Sequence, residues 1–410
     1  MLNKKITIFA PDFKPMLGGV AEYTYQLANE LNNLQRLDRV LTTVHQEQKY
    51  DFKTEGLDKY KHDRKLGNKI GDNFLFIRKT RSLIFHLKNY IFVFICAYKI
   101  INKRSHSFLL ITSIREKSSK VIVNICHLFN IKYGVVLHGK DIIVLSKNDN
   151  NYLRNVCKQA NVIIFNSWAT KKLFYYLSLE LNNKFYILYP GINPRYYEES
   201  CSLSITELEK RFHIELQNKT IILSVARLDK RKGIDIAIRA VAPLLQEVEN
   251  VLYIIAGQGN EYEQCKHIIE SYKVTDKIIL LGKVTEEEKF SLMKLSSIFL
   301  MPNHTLNNKD FEGFGISFIE ASYLNNAIIA GKSGGAIEAV KENVSGFLID
   351  VEAHDSIEII RLITKELLDK PDLCNKISIN ASQYVVENFL IKNLVSNFVD
   401  YLDREILDTN

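Results

Sequence analysis

"ITIFAPDFKPMLGGVAEYTYQLANEL" occupies residues 6–31 and "TIILSVARLDKRKGIDIAIRAV" residues 220–241. Each runs from a short apolar strand through a Gly-containing loop into an amphipathic helix. Further apolar runs follow at strand length. In the first half they are "FLLITS" (108–113), "YGVVLH" (133–138), "NVIIFNS" (161–167) and "KFYILY" (184–189). In the second half they are "VLYIIAG" (251–257), "KIILLG" (277–282), "SIFLM" (297–301), "AIIAG" (327–331) and "GFLID" (346–350). Helical patterns fill the intervals, and apolar strands joined by crossover helices call for parallel sheets covered on both faces. The repeated opening predicts an α/β chain of two doubly wound, Rossmann-like domains facing a cleft. Ligands in such sheets bind beyond the carboxyl ends of the strands.

At 410 residues the chain exceeds one ordinary core, which independently argues for two domains. The segment "YPGINPRYYEESCSLS" (189–204) holds two of the seven prolines and reads as a linker. The expected domains are therefore 1–192 and 193–385. Residues 386–410 form a C-terminal helix that either caps the second domain or packs back onto the first. A hydrophobic share of 46% with 25% charged residues is that of a soluble globular protein. The net charge of +7 is modest for this length, and no nucleic acid is expected as a partner. The six cysteines are scattered without a C-x-x-C pair, which argues against a metal site or disulfide framework and for reduced thiols in the cytoplasm. The N-terminus lacks the apolar region of an export signal. The most apolar stretch, "YIFVFICAY" (90–98), is too short to cross a membrane.

Candidate chemistry gathers at strand ends in the second half. Arg227 directly follows "ILSVA", and Lys232-Gly233 open the next helix. Two cations beside a helix N-terminus make an anion site, most naturally for phosphate. The alternative, a solvated basic turn, is preferred for Lys230 and Arg231. In "FEGFGIS" (311–317), Gly313 and Gly315 permit close backbone approach to a ligand. The amides of Phe314, Gly315 and Ile316 would then point from a helix N-terminus toward an anion. Glu312 by itself reads equally as a helix-starting charge. Glu320 lies a turn into that helix and cannot be a cap. A carboxylate there suits a ribose diol, and Glu312 suits the hydroxyls of another ring.

Taken together, these residues resemble glycosyltransferase family 4, whose members have the GT-B fold. That family carries two glutamates with seven residues between them, as Glu312 and Glu320 stand here, and an Arg and a Lys-Gly after the first strand of the donor domain. Further matches are "GQG" (257–259), "GGAIE" (334–338), "SGFLI" (345–349), "PGIN" (190–193), "GGV" (18–20) and "HG" (138–139), in the family's order. The resemblance implies that Glu320 holds the ribose of a nucleotide sugar and Glu312 the transferred sugar. It gives the pyrophosphate to Arg227 and Lys232, helped by amides near Gly315 and by the Gly18–Gly19 loop. His138 would line the reaction centre, with Asp141 and Asn166 as neighbours. Such enzymes retain anomeric configuration without a protein nucleophile, relying on electrostatic stabilisation of the departing diphosphate. No D-x-D motif is present, so neither a metal nor another cofactor is expected.

Residues 59–104 carry twelve Lys/Arg against two acids, interleaved with "NFLFI", "LIFHL" and "YIFVFICAY". Such a surface suits peripheral contact with an anionic membrane, the alternative being a buried helix with a solvated basic face. The family resemblance implies transfer of a hexosyl unit from a GDP- or UDP-sugar to a glycan or lipid-linked acceptor. Bacterial surface polysaccharide, such as O-antigen, capsule or lipopolysaccharide, is the expected product. A sugar-nucleotide epimerase, a phosphorylase and a non-catalytic scaffold are the competing readings.

Overall fold

Strands buried on both faces need mostly apolar side chains, and the central strands here carry them, with Thr7 and Ser224 as buried polar exceptions. The computed structural model describes residues 4–14, 16, 18–45, 74–79, 84–103, 107–177, 183–307 and 309–407. The chain divides into two units, residues 1–191 with 391–410 and residues 192–390. In the first, β1 (Lys5–Phe9), β2 (Leu37–His45), β3 (Phe74–Lys79), β4 (Ser107–Ile111), β5 (Tyr133–Leu137), β6 (Val162–Phe165) and β7 (Phe185–Ile187) form a sheet ordered β3-β2-β1-β4-β5-β6-β7. In the second, β8 (Thr220–Val225), β9 (Val251–Ala256), β10 (Ile278–Gly282), β11 (Ile298–Met301), β12 (Ala327–Gly331) and β13 (Gly346–Ile349) are ordered β10-β9-β8-β11-β12-β13. All pairings between these strands are parallel. The expected two doubly wound α/β units are therefore present. The order reverses between β1 and β4 in one sheet and between β8 and β11 in the other, and a reversal opens a crevice at the carboxyl ends of those strands.

The six strands of the second sheet are those expected from its apolar runs. Two strands of the first sheet were not expected. In β2, Asp38, Arg39, Thr42 and Thr43 interrupt the apolar run, and β3 is an edge strand ending in Arg78-Lys79. An edge strand has solvent on one side and tolerates charge.

The C-terminal segment splits between the units. Helix Pro371–Asn388 packs on helix Ile316–Tyr323 and on β12, so the second unit runs to residue 390 rather than 385. Helix Ile391–Leu402 lies on helix Gly19–Asn33 in the first unit. Its Ile391, Val395, Phe398 and Leu402, at helical spacing, enter the core with Tyr23, Leu27 and Leu31. Nη1 and Nη2 of the buried Arg36 guanidinium donate to the two oxygens of Asp403 at 2.7 Å, which pins the end of this segment. The six cysteines are unpaired, five of them buried. Among the described residues no helix is long and apolar enough to cross a membrane. Residues 59–73, 80–83 and 104 of the basic stretch lie outside the described residues.

Candidate active site

The turn after β8 and the loop after β11 meet at the second sheet's reversal point. Lys230–Lys232 form a single 3-10 turn, which directs three consecutive side chains about a third of a revolution apart. Lys230 turns to Asp235 at 2.6 Å, whereas Arg231 and Lys232 turn to Glu312. Gly233 ends the turn at φ 66° and opens helix Ile234–Glu247. A Cβ there would stand 2.1 Å from the Pro302 carbonyl oxygen, so only glycine lets the turn lie this close to the loop after β11.

Glu312 Oε2 accepts hydrogen bonds from Arg231 Nη1 at 2.8 Å and from Lys232 Nζ. Arg231 Nε also stands 3.4 Å from Asp310 Oδ1. Burial alone would raise the Glu312 pKa, but Lys232 and Arg231 outweigh it and hold the carboxyl at about 2. The Glu312 carbonyl accepts the Gly335 N–H at 2.8 Å, so the "GGAIE" loop backs the glutamate. Gly315 then caps helix Ile316–Tyr323, its carbonyl accepting the Phe318 N–H at 2.9 Å, while the Ile316 amide at the first position lies ahead of the intrahelical bonds. The Phe314 side chain is buried, edge-on to Phe389 at 5.3 Å.

Further along that helix, Glu320 is 3% exposed. Lys289 Nζ donates to its two oxygens at 3.1 and 3.2 Å, and the Tyr197 hydroxyl donates to Oε1 at 3.3 Å. Phe290 packs beneath both partners, its ring centroid 4.7 Å from that of Tyr197 and 4.0 Å from Lys289 Nζ.

The structure redistributes the basic turn. Arg231, expected on the solvated side, has a side chain only 15% exposed and is paired with Glu312. Arg227 is 63% exposed and bonds Asp229 at 2.6 Å instead of joining Lys232 and Glu312. The difference follows from position, since Arg227 precedes the 3-10 turn and Arg231 lies within it. Lys289 and Tyr197 were missed altogether. Lys289 follows three glutamates in helix Glu286–Leu295 and reads locally as part of a charged solvated face.

In the first unit, His138 follows β5. Its Nε2 lies 3.0 Å from the Thr112 carbonyl oxygen, which can only accept, so Nε2 carries the proton and Nδ1 is an acceptor. Burial lowers the ring's pKa, against the opposing pull of Asp141, the Thr112 carbonyl and Asp12. The His138 backbone N–H donates to both Asp141 oxygens at 3.0 and 3.1 Å, and the ring stands edge-on to Tyr23 at 5.1 Å. Asp141 thus shapes the turn that aims the histidine. Asn166 instead accepts from the Thr170 hydroxyl at 2.7 Å, a local bond at the start of the next helix. Gly18, at φ 140°, precedes helix Gly19–Asn33, and a Cβ on it would meet nothing within 4 Å. Among the described residues no group of three or more His, Cys, Asp or Glu is arranged to hold a metal.

Residues 206–384 match the family model described as "Glycosyl transferases group 1". The structure is similar to Anabaena Alr3699/HepE, solved in complex with UDP and glucose, with a TM-score of 0.71 at 18% identity over 98% of this chain and 100% of the other. The fold is GT-B. By sequence the chain is 29% identical over 197 residues to a GDP-mannose-dependent alpha-(1-6)-phosphatidylinositol monomannoside mannosyltransferase of Mycobacterium tuberculosis, covering 48% of this chain and 50% of that protein. It is 28% identical over 221 residues to the amylovoran biosynthesis glycosyltransferase AmsK of Erwinia amylovora, covering 53% and 51%. The chain thus spans about half the length of these curated relatives.

Proposed function

We propose that this protein is a retaining, metal-independent glycosyltransferase. It moves a hexosyl unit from a GDP- or UDP-sugar to a glycan or lipid-linked acceptor, at the cytoplasmic side of a bacterial membrane, in surface polysaccharide biosynthesis. The observation that carries the reading is the pair Glu312 and Glu320 flanking a helix N-terminus at the β8–β11 reversal, with Lys232 on Glu312. Glu320 grips the ribose and Glu312 the transferred sugar. Lys232, the Gly315–Ile316 amides and, after a change of rotamer, Arg227 bind the diphosphate. On the first unit, His138 offers Nδ1 to a sugar hydroxyl, and the Gly18–Gly19 turn takes a phosphate. As the glycosidic bond to phosphate loosens, the cations brought against the diphosphate stabilise the growing charge more than the ground state, which is what lowers the barrier.

Several similarities support this reading: the match to the group 1 model, the named donor of the mycobacterial relative and the UDP in the Anabaena structure. Membrane contact through residues 59–104 is supported by helix Ile84–Lys103, which exposes Phe94 and Tyr98 one turn apart. The test is a thermal-shift panel of nucleotide sugars followed by product analysis with lipid extracts. Transfer should be unaffected by EDTA, and salt-sensitive sedimentation with anionic but not neutral vesicles should accompany it. Conversion of the donor with no acceptor present would replace the transferase with an epimerase.

A further inference from the structure

Arg231 and Lys232 converge on one oxygen of Glu312, Oε2, and among the described residues nothing bonds Oε1. The two cations are otherwise unlike. The Lys232 ammonium bonds Glu312 alone among the described residues. Arg231 reaches Asp310 as well, 3.4 Å from Nε, and its carbonyl oxygen accepts the His304 N–H at 2.9 Å. Arg231 thus ties the turn after β8 to three points of the loop after β11. An ammonium on a flexible stem can turn to an arriving phosphate oxygen, whereas a planar guanidinium that moved would lose its geometry at both acids.

We propose that Arg231 is a positioning residue: it holds Glu312 in place, with Oε1 presented to the transferred sugar, while Lys232 turns from Glu312 to the donor's diphosphate. The inference rests on the reading of Glu312 as the contact to that sugar. With Lys232 as the sole cation, each donor that bound would strip a largely buried carboxylate of its counter-charge, which is costly. Arg231 removes that conflict. The sequence places three basic residues in a row; the fold sends Lys230 to Asp235 and the other two to Glu312, and on donor binding Lys232 leaves for the diphosphate while Arg231 stays.

The experiment compares full-length wild type with Arg231→Gln, Arg231→Lys and Lys232→Gln. Calorimetry with UDP and GDP reads diphosphate binding, and initial rates with the nucleotide sugar that the wild type turns over read transfer. Arg231→Gln should bind the nucleoside diphosphate within about threefold of wild type yet lose about 10- to 100-fold in kcat, the size expected for a reacting group misplaced on the ångström scale. Arg231→Lys should recover part of that loss, and Lys232→Gln should lose diphosphate affinity. If Arg231→Gln loses that affinity as Lys232→Gln does, Arg231 is a phosphate ligand and the proposal fails. Turnover of Arg231→Gln at the wild-type rate would equally overturn it. A wild type that binds neither diphosphate would instead overturn the donor-site reading itself, and this inference with it.

Discussion

Glu312→Gln keeps the shape of the side chain and removes its charge, so it measures what the Arg231–Lys232 pairing contributes to the fold. The carboxyl falls from an ordinary 4.5 to about 2 in the folded chain. At about 1.4 kcal/mol per tenfold change in proton affinity, that is roughly 3 kcal/mol at neutral pH. The side chain is only 14% exposed, so solvent screening reduces this little. Because the folded pKa is depressed, the contribution is complete about one pH unit above 4.5 and is lost as pH falls through 4.5 toward 2. By pH 3.5 about 1.4 kcal/mol should be gone. The stability difference between wild type and Glu312→Gln should therefore be flat from pH 7 to about 5.5 and shrink by nearly half at pH 3.5. The single tryptophan, Trp168, lies in the first unit and does not report on the second. The assay is urea unfolding read by hydrogen-exchange mass spectrometry on peptides from residues 192–390. A penalty below about 1 kcal/mol at pH 7, or one unchanged at pH 3.5, would refute the pairing as an energetic unit.

Lys289→Met should cost about 3 kcal/mol, since it strands the buried Glu320 carboxylate, and adding Glu320→Gln should recover much of it in a double-mutant cycle. Gly233→Ala should destabilise the second unit by at least about 1 kcal/mol and weaken nucleoside diphosphate binding in calorimetry, because the new methyl group meets the Pro302 carbonyl oxygen at a left-handed φ. His138, its pKa lowered by burial, should be mainly neutral with the proton on Nε2 at pH 6.5, where a free histidine is half protonated; nitrogen-15 NMR showing a mainly charged ring there would contradict the dominance of burial, and a proton on Nδ1 alone would contradict the Thr112 bond.

Local periodicity determined much of this protein. Apolar runs of strand length separated by amphipathic helices are a property of neighbouring residues, so the alternation and its parallel sheets were legible, as were the Gly-rich turns at 233 and 315. Where charge interrupts the run, as in β2, or where a strand sits at an edge, as in β3, the same pattern fails because those strands need less apolar surface. The positions of Glu312 and Glu320 were likewise legible, but their partners were not. A 3-10 turn sends Arg231 to Glu312, while Arg227, just ahead of that turn, stays outside at Asp229. Lys289 becomes the counter-charge of Glu320 only because helix Glu286–Leu295 lies beside helix Ile316–Tyr323. The C-terminal helix was visible as a helix, yet only its stripe of Ile391, Val395, Phe398 and Leu402 against Tyr23 and Leu27 assigned it to the first unit. Sequence decides which elements form because propensity and periodicity act within a few residues. Tertiary structure decides which charges pair, because a pair is made by side chains that only packing brings within about 3 Å.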